Sequence, residues 1–346
     1  MRIAVQNPSF IFEDQEKNFN GYNYIFLKKY CSLIYSQDLR KYSAYKKWIR
    51  NNDLSIDVTY NPFVLNKRID VLIGFNGVPY RFFYKPPKSF HGMKIYHVMD
   101  YVFYPSKANK ALDKGDVNYV MGYCDHYSND NFFKKYYPGY TTDRIISVPF
   151  GFGERFKTVT PFSERKNKVI ALGSVNPVRD QNGGILLEYL DFHKDNKFTH
   201  KLRRAIVVNR DQWSDCIDDL LPTFPETKNP NYDPVAELNK YTMFVNDAGL
   251  MNFPPARTYE GIAAGCVMVA EDLPIWKELG FVGGVNCILF EKDNYQEMIN
   301  KIRYYQNHLG ELQLIQVKSF ELAQRYTHER IADKLYKGIK ERYESD

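Results

Sequence analysis

The chain has 346 residues, 44% hydrophobic and 25% charged, and its 47 basic and 41 acidic side chains leave a formal net charge of +6. That length suffices for two domains with apolar cores, and dispersed basic residues with no run of five argue against a nucleic-acid tail. Five scattered cysteines with no Cys-x-x-Cys exclude a disulfide framework or zinc-site pattern and fit a reducing, cytoplasmic compartment, while no apolar stretch approaches the ~18 residues of a membrane span and no signal peptide opens the chain.

In chain order, "RIAVQ" (2–6), "IDVTY" (56–60), "IDVLIGF" (69–75), "KIYHVM" (94–99), "VNYVMG" (117–122) and "RIISVPF" (144–150) read as short buried strands separated by helical patterns. Residues 151–167, polar with Gly, Pro and a charged cluster, read as a linker. A second series follows in "KVIALG" (168–173), "RAIVV" (204–208), "TMFVN" (242–246), "CVMVA" (266–270) and "CILF" (287–290). The end is helical, with Thr327 as N-cap and Ile331, Leu335 and Ile339 four apart on one face. The expected architecture is α/β, with two doubly wound Rossmann-like domains facing a central cleft. Their boundaries are 1–157 and 158–327, and residues 328–346 form a closing helix that can pack back on the first domain. Ligands of such sheets bind beyond the carboxyl ends of the strands.

Three post-strand segments carry candidate chemistry. After "KVIALG", Gly173 allows close backbone approach and Arg179 stands where a guanidinium can grip phosphate oxygens; a turn with a surface arginine fits equally. The segment holds neither G-x-G-x-x-G nor a P-loop pattern. After "TMFVN", a loop through Asn252 leads into a helix from about Pro255, with Arg257 and Glu260 three apart on one face and Gly261 among small residues. There a carboxylate can accept ribose hydroxyls while the arginine serves a diphosphate; a local ion pair on a close-packed helix explains the spacing as well. After "KIYHVM", Asp100 sits at a strand end where a carboxylate can take a proton from an acceptor hydroxyl, or cap a helix. His97 points to the opposite strand face and reads as a core histidine, and in "YCDHYSNDNFF" Ser128 reads as a helix cap. Gly21, in the loop after the first strand, is a weak acceptor-side candidate.

The segment N-x-P-x-A-R-x-Y-E-G-x-A-A-G-C-V-x-V-A-E-D, from Asn252 to Asp272, resembles the donor-binding segment of GT-B glycosyltransferases. It is most similar to the glycosyl transferases group 1 (GT4-like) families and their spore-maturation-type branch. "VIALGSVNPVRD" and "YTHERIADKLY" resemble that family's phosphate loop and closing helix, and "IYHVMDY" and "VPFGFGERF" its cleft and hinge borders. The resemblance implies a hexosyl-type transferase that moves a sugar from a UDP-, GDP- or dTDP-sugar to a hydroxyl of a glycan or glycolipid, in polysaccharide biosynthesis. By that carry-over Glu260 binds the ribose, Arg257 and Arg179 the diphosphate, Gly173 permits its approach, and Asn252 and Gly261 belong to the same donor segment. One departure stands out: where the family commonly has Glu-x7-Glu, this chain has Asn252, which leaves inversion and retention both open. No Asp-x-Asp occurs in the chain, so a metal-independent enzyme is expected, without cofactor beyond the nucleotide sugar. A nucleotide-sugar 2-epimerase and a non-catalytic nucleotide-sugar or glycan-binding module are the alternatives. No nucleic-acid partner and no transmembrane segment are expected, while peripheral membrane contact stays open through the basic balance.

Overall fold

A computed structural model describes residues 1–13, 20–75, 87–98, 101–175, 192, 200–222, 231–249 and 252–345. These divide into two compact units, the first from 1–149 with 328–345, the second from 150–175 with 200–327.

In the first unit β1 (Ile3–Gln6), α1 (Tyr22–Tyr30), β2 (Cys31–Tyr35), α2 (Leu39–Asn51), β3 (Asp57–Thr59), α3 (Pro62–Arg68), β4 (Val71–Gly74) and β5 (Met93–His97) alternate. They continue through α4 (Pro105–Lys114), β6 (Tyr119–Gly122), α5 (His126–Asn129), α6 (Asn131–Tyr136) and β7 (Ile145–Ser147). All seven strands are parallel, in the order β3-β2-β1-β4-β5-β6-β7. Runs such as "IAVQ" and "VLIG" are buried at every position, as strands covered on both faces must be. "CSLIY" is a strand as well, β2, which the sequence reading passes over.

The second unit holds β8 (Lys166–Ala171), α7 (Lys201–Val208), β9 (Ile217–Asp219), α8 (Pro234–Lys240), β10 (Tyr241–Asn246), α9 (Ala256–Ala263) and β11 (Val267–Glu271). It ends with α10 (Pro274–Glu278), β12 (Ile288–Phe290), α11 (Tyr295–Asn307) and α12 (Leu309–Ala323). Its five parallel strands run β12-β11-β10-β8-β9. The chain therefore reverses direction across the sheet between β8 and β10. The expected strand at 204–208 is instead the body of α7, where Leu202 and Ile206, one turn apart, face the core. The strand lies further on, at β9.

The last helix, α13 (His328–Ser345), belongs to the first unit. Its buried Ile331, Leu335 and Ile339 form the inward stripe. Tyr336 stacks on Tyr30 of α1 at 4.1 Å between ring centroids, Lys29 pairs with Asp333 at 2.6 Å, and Arg342 donates to the Ile145 carbonyl at 2.9 Å.

Candidate functional site

The α9 segment is built to lie hard against its strand. A Cβ on Gly261 would overlap the Phe244 ring, and Asn246 donates to Thr258 Oγ1 at 2.9 Å. Gly265, at φ +82, ends the helix in a Schellman turn: its N–H donates to Ile262 O at 3.2 Å and that of Cys266 to Gly261 O at 3.0 Å. Arg165, buried behind this turn, donates to Ala264 O at 2.8 Å and reaches Leu238 O and Tyr241 O of α8 and its cap at 3.4 and 3.3 Å. At the other end Pro255 is the N-cap and supplies no side-chain hydrogen bond. Asn252, at φ 47, makes the turn before it.

So fixed, α9 presents Arg257 toward the loop that follows β8. Arg257 Nη1 donates to the Leu172 carbonyl at 2.6 Å. A second guanidinium arrives from the first turn of α7, where Arg203 Nη1 donates to Ser174 O at 3.2 Å. Between them lies Gly173, at φ +114. A Cβ there would stand 2.7 Å from Arg203 Nη1 and 2.9 Å from Arg257 Nη1. The glycine is required twice, for its backbone angle and for the two cations that close over it.

Arg203 is only 5% exposed. Burial, and next the charge of Arg257, push its pKa down to about 10 against the pull of Asp247. Asp247 follows β10 directly. Its Oδ2 accepts from the Arg203 N–H at 3.4 Å, its Oδ1 from the Gly249 N–H at 2.8 Å, and His200 Nδ1 lies 3.6 Å away. Burial raises the Asp247 carboxyl, but the neighbouring His200 and the charge of Arg203 outweigh it and hold the group below the ordinary range. Glu260, half-buried, goes the other way: burial raises it, and the charges of Arg257 and Arg155 only partly oppose this. Among the described residues no donor hydrogen-bonds its carboxylate. Three guanidiniums thus share two carboxylates. Two of those cations converge on Gly173, and among the described residues no carboxylate hydrogen-bonds either guanidinium, an arrangement that a diphosphate would relieve.

The location is the one that topology favours. Gly173 and Asp247 follow β8 and β10, adjacent strands from which the chain departs in opposite directions, the switch point where open α/β sheets take ligands.

Of the residues singled out from sequence, the structure gathers Gly173, Arg257 and Glu260 here and gives Gly261 a packing duty on the same helix. Asp100 and Arg179 lie outside the described residues. Arg203, Arg155 and Asp247 were not singled out. The one signal for Arg203 was the pairing of Leu202 with Ile206, which makes "KLRRAIVV" a helix whose first turn carries two arginines. In the first unit His97 is buried, its pKa pushed down to about 3 by burial and then by His126, and its ring lies 5.1 Å from that of Tyr123. Gly21 is the N-cap residue of α1. The cap of α5 is Asp125, which accepts from Ser128 N at 3.1 Å; Ser128 is the capped residue rather than the cap.

No protein-family model matches the chain, and no curated protein matches it in sequence. Solved structures match it in shape. HepE (Alr3699) of Anabaena, in its complex with UDP, is 13% identical, with 99% of this chain and 100% of that one covered at a TM-score of 0.54. Sucrose-phosphate synthase of Thermosynechococcus elongatus is 9% identical, with both chains covered in full at 0.54. A glycosyltransferase of Rickettsia africae is 15% identical, with 99% and 98% covered at 0.51. The chain has the GT-B fold. In GT-B terms the second unit, with its five parallel strands and the arginine-lined switch point, is the half in which the donor segment resemblance falls.

Proposed function

We propose that this GT-B chain is a glycosyltransferase that moves a hexosyl group from a nucleotide-diphosphate sugar to a hydroxyl of a glycan or glycolipid. One observation carries the reading: Arg203 and Arg257 converge over Gly173 at the switch point, beside a half-buried Glu260. Arg203 and Arg257, with Arg179, hold the diphosphate, and Glu260 accepts the ribose hydroxyls. As the bond between the anomeric carbon and phosphate oxygen breaks, the charge gathering on the diphosphate is met by fixed guanidiniums without a metal. Asp100 takes the proton of the attacking hydroxyl. The Asn252–Asp272 pattern supports the spore-maturation-type branch of the glycosyl transferases group 1 families. Among the described residues no helix is long and apolar enough to cross a membrane, and a cytoplasmic setting accords with five free, buried cysteines.

HepE has been crystallised with UDP and with UDP-glucose, so UDP is the first probe. Thermal melts with UDP, GDP and dTDP are expected to show stabilisation by one of them, about 2.7 kcal/mol at a hundred times Kd. Arg203→Met is expected to weaken that nucleotide at least tenfold, a loss of about 1.5–3 kcal/mol, while the free protein melts no lower, because a buried, repelled cation is gone. Asp100→Asn is expected to keep the nucleotide response and lose transfer. No response to any nucleotide, or an Arg203→Met variant that binds as the parent does, refutes the donor site; full turnover by Asp100→Asn removes the base.

A further inference from the structure

One edge of the seven-stranded sheet carries a surface that the donor site does not use. The helices after β2 and β3 start side by side at the same sheet end: Asp38 caps α2, Asn61 caps α3, and Ser36 N donates to Thr59 O at 2.8 Å beyond the paired strands. Large apolar side chains stand out at these starts. Phe63 is 82% exposed, Leu39 65% and Tyr60 54%. Tyr42 of α2 meets Tyr60 edge-on at 5.2 Å, and Lys46 Nζ lies 4.6 Å over the Tyr42 ring. Charge gathers on the same elements. Residues 38–68 hold seven basic side chains against three acidic, and α2 has no acidic residue at all. Asp38 and Asp57 are already paired, with Arg40 at 3.0 Å and Arg68 at 2.6 Å. Among the described residues no carboxylate pairs with Lys46, Lys47, Arg50 or Lys67.

We infer that this α2–α3 edge docks on an anionic phospholipid surface, with Phe63 and Leu39 entering the headgroup layer and the α2 cations over acidic headgroups. The combination decides against other occupants. A protein interface of standard size needs about 800 Å² per partner and is depleted in lysine, whereas here a few isolated apolar tips rise from a lysine-rich face. Single-stranded nucleic acid stacks successive bases on a row of ring faces; of the two most exposed tips only Phe63 is a ring, the other being Leu39, and Tyr60 already meets Tyr42 edge-on. Apolar tips on elements rich in lysine and arginine suit the boundary between acyl chains and headgroups. The inference stands apart from the donor-site reading.

Co-sedimentation with vesicles tests it, using the full chain with phosphatidylcholine alone and with phosphatidylcholine mixed with phosphatidylglycerol. The chain is expected to partition onto the mixed vesicles, little onto the neutral ones, and progressively less as salt rises. Lys46→Gln with Lys47→Gln should weaken partition about thirty-fold and Phe63→Ser about tenfold. Both variants should keep the parent's circular-dichroism melt and its nucleotide-induced shift, since the changed side chains are exposed and belong to the first unit. Absent partition, equal partition onto neutral vesicles, or an unchanged Phe63→Ser variant overturns the inference. So does a dimer at sedimentation equilibrium that Phe63→Ser dissolves, or release from vesicles by an oligonucleotide bound at the same edge.

Discussion

Glu260 carries its carboxylate into a half-buried place, and burial sets the sign of its pH dependence. Its folded pKa is raised, so the native state holds a proton that the unfolded chain has already lost. As pH climbs from the ordinary carboxylate value to the raised one, the fold loses stability, and above it the cost stays constant. If Glu260 holds the ribose as proposed, nucleotide binding has the opposite slope, because only the ionised carboxylate accepts two ribose hydroxyls. Calorimetric titration with UDP is expected to show affinity falling on acidification at a pH above the usual carboxylate range, and Glu260→Gln should bind more weakly at neutral pH with that limb gone. A parent profile flat through the acid range would take the ribose role from Glu260. The Arg257–Glu260 pair was legible from residue types three apart on a helix. Arg203 was not, because it meets Gly173 only once α7 is laid beside the β8 loop, and nothing local in "KLRRAIVV" points to that glycine.

At the scale of elements, α9 positions both side chains, and its closeness to β10 depends on Gly261. Gly261→Ala drives a methyl into the Phe244 ring and is expected to cost about 1–3 kcal/mol in urea unfolding, weakening UDP along with it as Arg257 and Glu260 shift. Adding Phe244→Leu should recover part of both; a Gly261→Ala protein as stable as the parent would show that the contact yields freely. The start of α9 was readable from Pro255, whose fixed backbone angle suits a helix start; its end at Gly265 emerges from the structure. Two other elements were not readable. "AIVV" is short and apolar enough for strand or helix, and one turn of core-facing side chains decided for helix. β9 is two-thirds acidic, a poor strand by composition, and it forms because Asp218 accepts from Lys168 and Tyr241, both at 2.9 Å, and Asp219 from Arg210 at 2.7 Å.

For the molecule as a whole, the last helix belongs to the unit that begins the chain. Removing residues 328–346 would uncover the partners of Ile331, Leu335 and Ile339, about 5–9 kcal/mol of apolar burial, against a domain stability of about 5–15 kcal/mol. Calorimetry of the shortened chain is expected to lose or sharply lower the transition of the first unit and to retain a transition that UDP still raises. Survival of both transitions would mean that α13 is dispensable. The α/β class, the parallel strands and the amphipathic last helix were all determined by the sequence alone, because period, caps and apolar runs act over a few residues. So was the placing of Arg257 and Glu260 on one helix after β10. Tertiary structure decided the rest: the strand order that makes β8 and β10 neighbours at the switch point, and the meeting of Arg203 with Arg257 over Gly173. Those contacts join residues tens of positions apart, and they exist only where the packing of each helix on its sheet brings them together.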